Sequence, residues 1–260
     1  MAYETILTER AGDVLVITLN RPDRLNAAPP AMFDEIADAL ANLEGARAVL
    51  IQGAGRAFCS GADVASGALA SADPGTATHE ALTNHYNPGI LAVARASVPV
   101  VSAVRGPAAG IGSSLALAAD FCVASDNGYF LQAFVNIGLI PDGGATWLLP
   151  RLVGRSRALE MMMLGEKLPA TKARDWGLVH SVVSDEQLEH EALALATRLA
   201  AGPTVALGMI RQGLAQALEM TLEQTMAMEA DNQRAARGTA DSMEGGLAFL
   251  QKRKPNFQGK

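Results

Sequence analysis

Val98-Pro99-Val100-Val101-Ser102-Ala103-Val104-Arg105-Gly106-Pro107-Ala108-Ala109-Gly110-Ile111-Gly112-Ser113-Ser114 is the stretch that decides the fold. It opens as an apolar, β-branched run, the pattern of a strand buried on both faces. It then breaks into a glycine-rich turn and continues into the alanine-rich helical stretch Leu115 to Ala119. A similar order occurs upstream, where Val49-Leu50-Ile51 precedes the turn Phe58-Cys59-Ser60-Gly61-Ala62-Asp63. Glycine lets such turns be sharp and lets another group approach the backbone closely. The N–H groups at a strand-to-helix turn have no helical acceptor. Two such turns side by side would aim two N–H donors at one oxygen, the arrangement of an oxyanion hole.

Outward from these turns the chain keeps a strand–helix rhythm. Val14 to Leu19 reads as a buried strand, Asn20 to Asn26 as a loop, and a helix is predicted after Pro29-Pro30. On that helix Phe33, Ile36, Ala37, Leu40 and Leu43 share a face, and Gly45 ends it. Ala48 to Gln52 and Phe121 to Ala124 are further strands. This alternation predicts an α/β fold. Residues 64–87 are poor in large apolar side chains and read as a mobile loop with some helix, a candidate lid. After about Gln187 the strands stop. Leu188 to Ala201, Val205 to Leu218, Leu222 to Arg237 and Ser242 to Leu250 read as consecutive helices. The expected organisation is a core over residues 1–186 and a helical region over 187–260. A short basic tail, Gln251 to Lys260, reads as a solvated terminus.

The composition excludes several classes. Of 260 residues, 49% are apolar and 18% charged, so a sizeable core is expected. A net charge of −6 leaves no basic footprint for nucleic acid. Cys59 and Cys122 lie in apolar segments without metal-ligand spacing. They read as reduced thiols of a cytoplasmic protein, and no metal is expected. The first residues lack the apolar centre of a signal peptide. No run approaches the ~18 apolar residues of a membrane span, so no membrane partner is expected.

Few residues are placed to do chemistry. Gly110-Ile111-Gly112-Ser113-Ser114-Leu115 lacks the third glycine of a dinucleotide fingerprint and is not in the first strand–helix unit, which excludes that reading. Asp142 stands in the apolar stretch Ile137 to Pro150. An aspartate facing an apolar pocket is desolvated, its pKa rises, and it becomes a better base. Asp before Gly143-Gly144 is also good helix-capping chemistry, and spacing alone tilts toward the cap. Asp63 reads as a cap, and Asp120 as a structural pair at the end of the helix after the second turn. His79, His85, His180 and His190 are scattered and read as surface or loop residues. Met161-Met162-Met163, Met226 and Met228 read as adaptable packing.

Taken in order, several segments resemble the crotonase, or enoyl-CoA hydratase/isomerase, superfamily over essentially the whole chain. They are Ile17 to Pro22 with Leu25-Asn26-Ala27, Gly53 to Asp63, Pro99 to Gly106, the turn at 110–112, Trp176-Gly177-Leu178-Val179 and Phe249 to Arg253. The resemblance implies a spiral of ββα repeats followed by helices that build homotrimers, often paired into hexamers. It implies an acyl-CoA thioester substrate and no separate cofactor, since coenzyme A is part of the substrate. By position, the two oxyanion donors fall on the backbone N–H groups of Ala62 and Ile111. The implied CoA contacts are Arg24 and Leu25, the turn at Gly61 and Asp63, Gly110, and Phe249 and Lys252 reaching across from a neighbouring subunit.

Departures from the family pattern are equally informative. Water-adding members use two glutamates; here Ser114 and Phe134 occupy those positions, and neither can activate water as a carboxylate would. The segment Ile140 to Gly144, with Trp147 to Arg151 after it, instead resembles the ring-epoxyphenylacetyl-CoA isomerases of phenylacetate catabolism, which place one aspartate here. 4-Chlorobenzoyl-CoA dehalogenases also carry an aspartate there, as a nucleophile. The resemblance therefore implies a double-bond isomerase of phenylacetate-type or fatty acyl-CoA degradation, with Asp142 shuttling protons and Phe134 lining the acyl pocket. Leu139 and Trp147 read as ordinary core. The alternatives are an enoyl-CoA hydratase, a dehalogenase-like hydrolase, or a non-catalytic CoA-thioester-binding protein.

Overall fold

The computed structural model describes residues 3–63 and 71–260. The chain starts with an antiparallel hairpin, β1 (Ile6–Ala11) and β2 (Val14–Leu19), followed by α1 (Pro30–Ala41) and β3 (Ala48–Gly53). Then come α2 (Pro74–Ala81), a wide π turn at Leu82–Tyr86 and α3 (Asn87–Ala94). β4 (Val100–Val104), β5 (Pro107–Ala109) and α4 (Ile111–Leu117) follow, then β6 (Phe121–Ser125) and β7 (Tyr129–Leu131). After a 3-10 turn at Ala133–Ile137 come α5 (Ala145–Val153), α6 (Arg155–Leu164), β8 (Leu168–Pro169), α7 (Ala170–Asp175) and β9 (Ser181–Val183). Four helices complete the chain: α8 (Leu188–Ala200), α9 (Thr204–Ala217), α10 (Leu222–Arg237) and α11 (Ala240–Leu250).

The main sheet has the order β1-β2-β3-β4-β6-β9 and is parallel from β2 onward. β4 is buried along its whole length, as its unbroken apolar run requires. One sheet face packs on α1, α3 and α4 through Ile17, Phe33, Ile36, Ile51 and Leu115. The other face receives α8. Leu188, Ala192, Ala196 and Ala200 form a stripe of one residue per turn against Val14, Val16, Leu50 and Val101. Alanine on that stripe lets the helix lie close to the sheet. The strands end before residue 187, but the core does not: α8 is one of its layers.

A second, short sheet, β5-β7-β8, lies beside the first. Isolated parallel bridges extend it, Cys59 to Ala108 and Ala28 to Ala62. Each unit thus sends its main-sheet strand into a short strand or bridge and then into a helix, the expected ββα spiral. At Gly106 the chain turns from β4 toward β5 with φ +56°, and a methyl there would stand 2.3 Å from the Arg56 carbonyl oxygen. Only glycine fits that crossing.

Two stretches differ from the sequence expectation. Residues 74–94 are helical nearly throughout; α2 buries no residue, so its sequence carries no apolar stripe to read. The lid expectation for residues 64–70 lies outside the described residues. The basic tail is not a free terminus. Arg253 grips Glu244 at 2.6 and 2.8 Å, and the buried Asp241 accepts the N–H groups of Gln258 and Gly259. Arg253 and the Asn256 N–H pull the Glu244 pKa down to about 2.

Candidate active site

The second sheet brings the two glycine turns together. The Cys59 N–H donates to the Pro107 carbonyl at 3.0 Å, and the Ala109 N–H returns a bond to the Cys59 carbonyl at 2.9 Å. Beyond that ladder, a methyl on Gly110 would stand 3.8 Å from the Gly61 Cα. Ile111 is the first residue of α4, where no intrahelical acceptor exists. Among the described residues, the N–H groups of Ala62 and Ile111 have no hydrogen-bond acceptor, nor do those of their neighbours Gly61 and Gly112, while those of Ala109, Gly110 and Asp63 do. Burial pushes the Cys59 thiol up to about 12, so it is a packing group between the turns.

Asp142 sits against this junction because of Gly143. Gly143 has φ +57°, and a methyl there would meet Ile111 Cδ1 at 2.4 Å and Ser114 Cβ at 2.8 Å. The Ser114 hydroxyl donates to the Asp142 carbonyl oxygen at 3.0 Å. Ser114 therefore anchors the backbone of the aspartate. The capping expectation is overturned. Gly144 precedes α5, no side chain caps that helix, and it is the Asp142 carbonyl that accepts the Ala145 N–H. The carboxylate is left for another purpose: Oδ1 is buried without a hydrogen-bond partner. Burial raises the Asp142 pKa from 3.8 to about 6.

Phe134 is buried, and its Cζ would lie 3.5 Å from a methyl on Gly110. Its ring thus packs at the junction of the turns. Leu139 and Trp147 are not core: they are 53% and 39% exposed. The Trp147 indole N–H donates to Glu219, and the Arg151 guanidinium lies 4.0 Å over its ring. Arg24 and Leu25 lie beside the first turn, since the Ser60 N–H donates to the Leu25 carbonyl at 3.0 Å. The capping expectation for Asp63 falls on residues 64–70, outside the described residues. Asp63 also forms an ion pair with Arg21 at 2.8 Å, tying the same loop to the first turn. Phe249 is 83% exposed on α11, and Lys252 follows that helix with φ +54°. Asp120 behaves as expected, accepting from the Val100 N–H at 2.7 Å and pairing with Arg211 at 2.9 Å. His85 pairs with Asp34 on α1.

Sequence reasoning missed two residues of this neighbourhood. Arg21 belonged to the Asn20-Arg21-Pro22 segment and Asp63 read as a cap, and nothing linked the two before the loop folded. Tyr86 is buried in the π turn, and its hydroxyl donates to the Ala28 carbonyl at 2.9 Å. Burial first, then the charges of Asp142, Cys59 and Asp63, push its pKa up. A tyrosine in a stretch read as a loop gave no signal.

With this geometry in place, the sequence profile of the enoyl-CoA hydratase/isomerase family matches residues 9–260. The chain belongs to that family. It is 42% identical to 1,2-epoxyphenylacetyl-CoA isomerase of Escherichia coli (strain K12), over 99% of both chains. It is also 42% identical to "Probable enoyl-CoA hydratase" of Rhodobacter capsulatus, over the full length of each. The crystal structure of an enoyl-CoA hydratase from Polaromonas sp. JS666 superposes with a TM-score of 0.92 at 34% identity, covering 97% of this chain and 99% of the other. As a member of the enoyl-CoA hydratase/isomerase family the protein is an enzyme of crotonase fold, from a family that acts on acyl-CoA substrates.

Proposed function

We propose that the protein is an acyl-CoA double-bond isomerase in which Asp142 is the sole proton shuttle. The observation that carries this reading is the carboxylate itself: its residue is held beside Ile111 and Ser114, it does not cap its helix, and one of its oxygens is buried with no partner. The thioester oxygen sits between the Ala62 and Ile111 N–H groups. Their field makes the carbon next to the carbonyl acidic and stabilises the enolate. One such donor contributes about 2.7–4 kcal/mol where it has been measured in a hydrolase. Asp142 takes a proton from C2 of a 3-enoyl thioester; the C–H pair becomes the C1=C2 bond and the carbonyl pair moves onto the thioester oxygen, giving a dienolate conjugated with the C3=C4 bond. The same carboxyl returns the proton to C4, giving the 2-enoyl product and restoring the carboxylate. Ser114 holds the aspartate's backbone, and Phe134 packs against the acyl group. With no second carboxylate at positions 114 and 134, water has no base to activate it there.

Arg24, Leu25, Gly61, Asp63 and Gly110 line the path of the pantetheine and CoA in this reading, with Phe249 and Lys252 supplied by a neighbouring subunit of a homotrimer or hexamer. The 42% identity to a relative named as an isomerase supports the choice. The equal identity to one named as a hydratase makes hydration the reading to test against. Purified protein is mixed with a 3-enoyl-CoA and, separately, a 2-enoyl-CoA, while thioester-conjugation absorbance and product mass are followed. Conjugation without mass gain supports the isomerase; addition of water overturns it.

A further inference from the structure

Among the residues that hold the first turn, Ala28 makes two backbone bonds around one position. The Ala28 N–H donates to the Gly61 carbonyl at 2.8 Å, and the Asp63 N–H donates to the Ala28 carbonyl at 2.9 Å. These two bonds bracket Ala62, whose own N–H is left without an acceptor among the described residues. Ala28 is fully buried, and its carbonyl takes a second bond, from the Tyr86 hydroxyl at 2.9 Å. Tyr86 reaches it from the π turn, a wide helical turn of a kind that recurs at functional sites. Its ring is locked edge-on against Phe33, with centroids 5.0 Å apart. A fixed phenol thus fixes the carbonyl that fixes the turn.

We propose that Tyr86 is a positioning residue for the thioester-binding site, its hydroxyl holding the Ala28 strap so that the Ala62 N–H keeps its aim. The proposal rests on the reading of Ala62 as an oxyanion donor. The Tyr86 hydroxyl is committed to the Ala28 carbonyl, so its role is one of positioning. Its loss acts through the orientation of one donor, and a misplacement of ~1 Å costs a site about 10²-fold in rate. Removing the hydroxyl should therefore lower kcat about 10- to 100-fold while KM changes little, because CoA contacts elsewhere still bind the substrate.

The test measures the donor directly. trans-2-Hexenoyl-CoA carrying ¹³C at the thioester carbonyl is bound to Asp142→Asn protein, which does not turn it over, and the carbonyl stretch is read by difference infrared spectroscopy. With Tyr86 present, the stretch falls below its value in water. With Tyr86→Phe added, it moves back toward the water value, and Tyr86→Phe alone shows the kcat loss at nearly constant KM. Full downshift and full kcat in Tyr86→Phe overturn the proposal. No downshift even with Tyr86 present overturns the oxyanion assignment and this proposal with it. If Tyr86→Phe does not fold, a ring-fluorinated tyrosine placed at position 86 keeps the shape but ionises at lower pH. A phenolate cannot donate to a carbonyl, so kcat then acquires an alkaline limb that the native protein lacks. A flat alkaline profile in the fluorinated protein overturns the proposal.

Discussion

Asp142 combines two conditions that usually exclude each other, since a buried carboxylate oxygen normally has a hydrogen-bond donor beside it. Its raised pKa means that the folded protein binds the proton more tightly than the unfolded chain. The linked stability is present below pH ~4 and is lost as pH rises through about 6, so above that the folded state carries the cost of a buried charge. Asp142→Asn removes the charge. It should stabilise the protein at pH 8 by up to about 3 kcal/mol, with the gain vanishing toward pH 4, as read by urea unfolding at both pH values. The same substitution should lower kcat about 10²- to 10⁴-fold. In the parent, the rate should rise through pH ~6 as the base ionises. A variant that keeps full activity, or a profile flat between pH 5 and 7, removes Asp142 from the mechanism. A carboxylate that gains stability when neutralised and loses catalysis at the same time belongs to the site rather than to the fold.

At the scale of the element, the loop before α5 aims that carboxylate, and Gly143 is its pivot. Gly143→Ala meets Ile111 Cδ1 and imposes strain at φ +57°. The expected result is a loss of about 1–3 kcal/mol of stability together with a fall in kcat beyond that of Ser114→Ala, which removes only the Ser114 hydrogen bond to the Asp142 carbonyl. Thermal unfolding and steady-state rates on the two variants check both parts. This pivot also marks where the sequence stopped being readable. β3, β4 and α8 were legible because long apolar runs and stripes state their own burial, and α9 to α11 because Gly202-Pro203 and Gly238 cut a helical sequence into lengths, although α10 buries no residue. β1 was not, because of its six residues only Ile6 is buried. β5, β7 and β8 are two or three residues long, too short to show a period, and exist because neighbours pair with them. Asp-Gly-Gly before a helix fits both a cap and a base in one dimension, and spacing alone tilts toward the cap. Only the packing of Gly143 on Ile111 and Ser114 separates them. The two proposed donor positions, 62 and 111, came from the family pattern; the Tyr86 bond to Ala28, which brackets Ala62, spans 58 residues of chain and left no local trace.

At the scale of the molecule, the C-terminal helices divide by what they touch. α8 is buried in the core, and α9 docks through Gly208 against Ser97 and through Arg211 on the Val93 and Ala96 carbonyls. What remains on α9 to α11 is apolar and open: Ile210 is 65% exposed, Leu214 68% and Phe249 83%, with Met226 and Leu250 beside them in exposure. An apolar groove between α9 and α10 is lined by Ile210, Leu214 and Met226. A chain that keeps so much apolar surface in water invites a partner, and a closed assembly of identical chains is the economical one. The tail suits the proposed assembly, because Arg253 and Gln258 fold it back onto Glu244 and Asp241 of α11, beside the Phe249 and Lys252 that the proposal presents to a neighbour. The expected mass in sedimentation is three or six times that of one chain. Ile210→Glu with Leu214→Glu should shift it to a single chain. If Phe249 and Lys252 complete the CoA site of a neighbour, that dissociated protein should bind acyl-CoA at least about 10-fold more weakly while Asp142 and both donor turns stay intact. A monomeric variant with undiminished acyl-CoA affinity would separate assembly from the site and return Phe249 and Lys252 to the surface.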